Sequence, residues 1–245
     1  PHSIETVAKK SGDNFIISGT KNFVIDGHSS KLLIVAARTE GEKHDASGIT
    51  LFVVGSDHQD VEITKTSMVD SRNAANIKFN DVAVSSENII GEENNGASVL
   101  EVVLDRAQIA ISAEMLGNAS QAFDLTLEYL KERKQFGAVI GTFQALQHRA
   151  AEMYSELELT KSSVIAACNA VDQNSNDLRR MASLAKFKSG ETNHLITNEA
   201  IQMHGGVGVT DEYDVGLFMK RARVTEQIFG NSEYHIDRYA TLSDY

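Results

Sequence analysis

The sequence predicts an α+β chain in two parts. An antiparallel β barrel or sandwich covers residues 1–93, and an antiparallel up-and-down helical bundle covers 94–245. Three observations carry this. Short β-rich runs separated by Gly, Asn, Asp and Ser dominate the first part, with no helical pattern between them. Near residue 95 the apolar period changes from that of a strand to that of a helix. Pro1 is the only proline, which suits long uninterrupted helices.

Taken in order, Phe15-Ile16-Ile17, Phe23-Val24-Ile25, Leu32 to Ala37 and Ile49 to Val54 read as strands. Val61-Glu62-Ile63-Thr64 and Ile77-Lys78-Phe79 alternate as half-buried strands do. Ser98 and Glu101 have the spacing of a capping box opening the first long helix. Ile109, Leu116, Phe123, Leu127 and Leu130 then mark one apolar helix face, which Gly137 and Gly141 bring to an end. A second stripe runs Phe143, Leu146, Ala150, Met153, Leu157, Val164. A polar break at Asp172 to Asp177 precedes a third helix ending near Gly205-Gly206, and shorter helices are expected over 213–228 and 232–242. Long helices joined by short breaks make a bundle.

The bulk numbers exclude several functions. A net charge of −11 argues against nucleic acid and anionic membrane as partners, because both need clustered cations. No apolar run is long enough to span a bilayer. Cys168 is the one cysteine, so no internal disulfide and no paired-cysteine metal motif can form, and no metal site is expected. A cytoplasmic or organelle-matrix setting fits. The chain opens on Pro1 rather than Met, so the expectation is that its natural N-terminus, with any targeting peptide, lies upstream.

Several motifs then carry a resemblance. Gly19-Thr20-Lys21-Asn22-Phe23-Val24-Ile25-Asp26-Gly27 is followed by Phe79-Asn80-Asp81-Val82 leading to Gly91. Asp105-Arg106 forms an acidic-Arg pair, and Tyr129 to Gly137 reads Y-L-K-E-R-K-Q-F-G. Phe143-Gln144 with Gln147, and Gln202-Met203-His204-Gly205-Gly206-Val207-Gly208, complete the series. In this order they resemble the FAD-dependent acyl-CoA dehydrogenases over nearly the whole chain. The matching parts are the family's middle β domain and its C-terminal helical domain. Its N-terminal helical domain and the start of its β domain have no counterpart here.

The resemblance implies FAD as cofactor, an acyl-CoA thioester as substrate, an electron-transfer flavoprotein as electron acceptor, and a homo-oligomer or an assembly with a related subunit. In the family reaction a carboxylate removes the α-proton and the β-hydride passes to the flavin. Arg133 corresponds to the arginine that meets the FAD pyrophosphate; by itself it also reads as a solvated helix-end cation. Phe136 would pack on the cofactor across a dimer interface, and Gln144 follows at the family spacing. Gln202, Gly205 and Gly206 resemble the segment that holds the ADP end of a neighbouring subunit's FAD, although Gly-Gly also ends helices commonly. Phe23 stands for a family tryptophan beside the flavin, and Ile25 for a threonine whose hydroxyl this chain lacks. Asn231 falls in the same cofactor shell. His204 reads as structural. Because the flavin-holding strand of the family lies upstream of Pro1, weak or lost FAD binding is expected for the chain as given.

The proton acceptor is where the chain departs from its family. Many relatives carry a catalytic glutamate just before the glycine of E-G-T, where this chain has Phe229 before Gly230. Other branches carry it on the first long helix, immediately before an arginine. That position is Asp105, with Arg106 then expected to meet substrate. Asp105 precedes Ile109 by four residues, so it lies on the apolar face, where a carboxylate is costly unless paired or used. A first-turn helix carboxylate and a structural salt bridge remain open alternatives. A partner subunit without catalysis, or a related oxidase, is the competing function.

Overall fold

The computed structural model describes residues 3–245. The chain divides into two compact units, residues 1–103 and 104–245.

The first unit is built on one seven-stranded sheet. Its strands are β1 (Val7–Ser11), β2 (Asn14–Ile25), β3 (Leu32–Arg38), β4 (Ile49–Gly55), β5 (Val61–Ser67), β6 (Asn73–Ser85) and β7 (Ile89–Ile90). They lie in the order β5-β6-β2-β1-β3-β4-β7. Every pairing is antiparallel except β1 with β3, which touch in parallel at Val7 and Arg38. The sheet is sandwich-like and does not close into a barrel, since β5 and β7 remain as edges. Phe15, Ile17, Leu33, Val35, Phe52, Val54, Ile77, Phe79 and Val82 fill its core. Each such side chain contributes about 1.5–3 kcal/mol by leaving water.

Two details correct the sequence reading. The runs at Phe15 and Phe23 belong to one long strand, β2, with irregular register against β6 between Ile17 and Gly19 and between Lys21 and Val24. β1 has no apolar alternation, and only Ala8 in it is buried; its place comes from pairing with β2 through a turn at Gly12, where φ is +62°. Arg38 is buried and donates to the carbonyl oxygens of Ile4, Glu40, Lys43, Asp45 and Ser47, which ties down the loop after β3.

The helical part starts with α1 (Gly96–Glu132). Its first turn packs Ala97 with Ile4 and Ile49 of the first unit's core. The helix begins before Ser98, so the expected capping box is not formed; Ser98 Oγ instead donates to the carbonyl and side-chain oxygens of Asn95 at 2.8 and 2.9 Å. A small hairpin that the sequence pattern did not reveal follows, β8 (Lys134–Gln135) with β9 (Ala138–Val139). Then come α2 (Gln144–Asp172), α3 (Leu178–His204), α4 (Val215–Gln227) and α5 (Ser232–Thr241). The second unit's core joins Ala119, Phe123 and Leu130 of α1 to Met153 and Leu157 of α2, Ile196, Ala200 and Met203 of α3, and Val215 of α4. Alanines at the crossings let the helices approach closely.

Candidate active site

The inward face of α1 carries Asp105, Gln108, Ile109, Ser112, Met115 and Ala119, all buried at the three- and four-residue spacing of a helix. Asp105 lies well inside α1, not in its first turn, so that alternative falls. Arg106, one residue on, is exposed.

Asp105 is 3% exposed and sits among guanidinium groups. Arg238 of α5 donates from Nη2 to its Oδ1 at 2.5 Å, and Arg179 Nε of α3 stands 3.8 Å from its Oδ2. The other arm of Arg238 donates from Nη1 to Gln108 Oε1 at 3.0 Å and to Ser183 Oγ at 3.1 Å. Gln108 Nε2 in turn donates to the carbonyl oxygen of Phe229 at 3.4 Å. One hydrogen-bonded chain therefore joins positions 105 and 229, the two places where the sequence comparison put a family base.

The turn at 228–231 is held from three sides. Lys186 of α3 is 1% exposed and donates from Nζ to the carbonyl oxygens of Glu226 and Gly230, at 3.0 and 2.8 Å. Burial lowers its ammonium pKa to about 8, against an opposing pull from Glu226. His235 of α5 is fully buried, with Nε2 3.0 Å from the Phe229 carbonyl oxygen. Because that partner can only accept, Nε2 carries the proton of the neutral ring. Burial lowers the His235 pKa to about 4. Asn231 caps α5, its Oδ1 accepting from Tyr234 N at 3.0 Å. Phe229 itself has φ +60° and is 36% exposed. Gly230, at φ +105°, has no room for a Cβ, which would fall 2.4 Å from the Tyr234 ring.

The remaining site residues lie on open surface. Arg133 closes α1 and is exposed. Phe136 sits at the tip of the β8–β9 hairpin with φ +56° and 91% exposure, touched by Phe143 at a ring distance of 6.3 Å. Gln144 opens α2 and is exposed. Gln202 is exposed near the end of α3, and its carbonyl accepts from Gly205 N–H. A Cβ added at Gly137, Gly205 or Gly206 would meet nothing within 4 Å. These glycines leave backbone open to a ligand, which suits a bulky phosphate-bearing cofactor such as FAD. The buried His204 donates through Nδ1 to the Ala200 carbonyl at 2.7 Å and stacks on Tyr129 at 4.3 Å.

In the first unit, Phe23 and Ile25 are 63% and 43% exposed on the irregular stretch of β2. Phe23 has φ +53°, rare for a bulky residue, and its N–H donates to Asn76 Oδ1 at 3.1 Å. Beside them an open slot of about 250 Å³ is lined by Lys21, Ile25, Leu32, Ile34, Ile77 and Phe79. Burial lowers the Lys21 ammonium pKa to about 8. Among the described residues no His, Cys, Asp and Glu group is arranged to hold a metal, and no helix is long and apolar enough to cross a membrane.

Residues 94–241 match the family model of the acyl-CoA dehydrogenase C-terminal domain, and residues 1–82 match that of the middle domain. The chain belongs to the acyl-CoA dehydrogenase family. It is 34% identical over 232 residues to a probable acyl-CoA dehydrogenase of Bacillus subtilis, a match covering 94% of this chain and 61% of that protein. It is 31% identical to the bovine short/branched chain specific acyl-CoA dehydrogenase, covering 97% of this chain and 55% of the relative. Among solved structures, an acyl-CoA dehydrogenase of Geobacillus kaustophilus superposes with a TM-score of 0.94 at 29% identity, covering all of this chain and 65% of that one. Butyryl-CoA dehydrogenase of Megasphaera elsdenii gives 0.92 at 27% identity, covering 99% of this chain and 64% of that one. The chain thus spans little more than half to two thirds of the acyl-CoA dehydrogenases it matches.

Proposed function

We propose that this chain is the middle and C-terminal part of an FAD-dependent acyl-CoA dehydrogenase, which makes an α,β-double bond in an acyl-CoA thioester. The observation that carries this is the open backbone at Gly137, beside the exposed Arg133 and Phe136, and at Gly205 and Gly206, beside the exposed Gln202. Arg133 would meet the pyrophosphate, since a guanidinium fork matches phosphate oxygens. Phe136 and Gln144 would complete that contact, Gln202 with the two glycines would hold the ADP end, Asn231 would join that shell, and Phe23 and Ile25 would flank the flavin. When bound, the flavin supplies the hydride acceptor.

Asp105 is the proposed base. It would take the α-proton of the acyl group on a carboxylate oxygen, and the bound flavin would supply the acceptor for the hydride lost from the β-carbon. Arg106 is the proposed substrate contact. An electron-transfer flavoprotein is the proposed electron acceptor, and a second copy or related subunit would cover Phe136. Anaerobic titration of the full-length protein with acyl-CoA tests this: loss of the oxidised-flavin absorbance supports it, and an unchanged spectrum overturns it.

One observation favours a second reading. Phe229 vacates one base position and Asp105 is engaged by Arg238 and Arg179 at the other. A non-catalytic subunit of a hetero-oligomer would show this pattern. It would bind FAD or its partner subunit and leave the flavin oxidised in the same titration.

A further inference from the structure

We propose that Arg238 is a fixed clamp that gives the two oxygens of Asp105 different tasks: Oδ1 holds the side chain still, and Oδ2 takes the proton. The inference rests on the reading of Asp105 as base. The two oxygens of a carboxylate are equivalent until a partner separates them, because the terminal torsion is broad and two-fold. Arg238 Nη2 separates them here, donating to Oδ1 at 2.5 Å in a charge-assisted hydrogen bond. Arg179 Nε lies 3.8 Å from Oδ2, too far for a hydrogen bond, so Oδ2 keeps its lone pairs for an incoming proton.

Arg238 is itself tied on every side. Its Nη1 donates to Gln108 Oε1 at 3.0 Å, to Ser183 Oγ at 3.1 Å and to the Arg179 carbonyl at 3.5 Å. Gln108 and Ser183 are buried, on α1 and α3, and α5 packs on α3. Gln108 is held in turn, its Nε2 donating to the Phe229 carbonyl. Asp105 and Gln108 are one helical turn apart on α1, so a single guanidinium grips both. The grip outlasts proton transfer. Once Oδ2 carries the α-proton, Oδ1 remains an acceptor for Nη2, and Arg238 keeps its charge. Such fixing matters because a misplacement of about 1 Å can cost about a hundredfold in rate. Arg238 touches no reacting atom and is a positioning residue acting through Asp105.

The test uses the full-length protein with its flavin, reduced anaerobically in stopped flow by acyl-CoA and by acyl-CoA deuterated at the α-carbon. Arg238→Gln removes the cation, Arg238→Lys keeps it, and Arg179→Met clears the Oδ2 side. The glutamine variant is expected to reach a limiting rate about a hundredfold below the parent. Its KM should change little, and its α-deuterium isotope effect should grow, since proton removal becomes the slow step. The lysine variant should recover part of the rate, and Arg179→Met should stay near the parent. A glutamine variant at the parent rate, a loss confined to KM, or an equal loss in Arg179→Met overturns the clamp. A merely structural ion pair would lower the yield of folded, flavin-bearing protein and leave the rate per flavin and the isotope effect unchanged, which also overturns it. If Arg238→Gln does not fold, Ser183→Ala removes one tie of Nη1 and should give a smaller loss with the same isotope trend; no change in either counts against the clamp. Asp105→Asn distinguishes the two readings. At the parent rate it removes the base and the clamp together, whereas a slow Asp105→Asn beside a parent-like Arg238→Gln keeps the base and removes the clamp alone.

Discussion

Arg238 Nη2 stands 2.5 Å from Asp105 Oδ1, joining the last helix of the bundle to its first. The contact is nearly dry, so its loss from one side has a definite cost. Asp105→Asn keeps an acceptor for Arg238 but leaves that cation without its counter-charge. The helical unit should stay folded and lose about 3 kcal/mol in chemical denaturation. In the full-length protein, flavin reduction by acyl-CoA should fall by about two to four powers of ten. Reduction at the parent rate would leave Asp105 a purely structural carboxylate.

His235 makes stability depend on acid. Its folded pKa of about 4 lies below the ordinary 6.5, so the unfolded chain takes up the proton first. Stability from the neutral ring is complete above pH 6.5, falls between 6.5 and 4, and is flat below. The loss is on the order of 3 kcal/mol. His235→Gln can still donate to the Phe229 carbonyl and cannot titrate. Its denaturation midpoint should fall less than the parent's across this window.

Lys186 acts in the opposite pH range. Its folded pKa of about 8 lies below the unfolded 10.5, so the unfolded state binds more protons between these values. Stability should therefore rise from pH 8 to 10.5, with the same sign from Lys21, also lowered to about 8. Lys186→Met should flatten part of that rise. At neutral pH it should also speed amide exchange around residues 228–231, since the carbonyls of Glu226 and Gly230 lose their donor. Unchanged exchange there would mean that Lys186 does not hold the turn.

Phe136 separates binding from stability. At 91% exposure its truncation to alanine removes little buried area, and the denaturation midpoint should move by less than about 0.5 kcal/mol. In the full-length protein the proposed role requires a marked loss of FAD or of subunit association, read by flavin absorbance and sedimentation. If both persist, the ring is surface decoration.

Gly205 and Gly206 form an internal control. Alanine meets open space at both, but Gly205 has φ +65°. Gly205→Ala should cost about 1 kcal/mol of stability from the backbone alone. Gly206→Ala should leave stability near the parent, so weakened FAD retention by that variant of the full-length protein would report cofactor contact. Retention equal to the parent would remove Gly206 from the site.

The strand runs at Leu32, Ile49 and Val61 and the two long stripes of the bundle were legible because burial on one face leaves a period in the sequence. β1 was not, because Lys9 and Lys10 carry no such period and the strand exists only through its partner β2. The β8–β9 hairpin was hidden for a similar reason: its residues are exposed or half-buried, and a tight turn around Phe136-Gly137 makes it. Ser98 and Glu101 had capping-box spacing, but Gly96 packs its backbone against Ile49 and Leu51 and the helix starts there instead.

By itself the sequence determined the two-part architecture and the absence of a carboxylate at Phe229, and it put Asp105 in helical register with Ile109, since residue identity and helical spacing are local properties. Only the tertiary structure decided what Asp105 faces. Arg238 lies 133 residues away in sequence. Such a pairing depends on how α1, α3 and α5 pack, and no local pattern encodes which of the chain's arginines closes that distance.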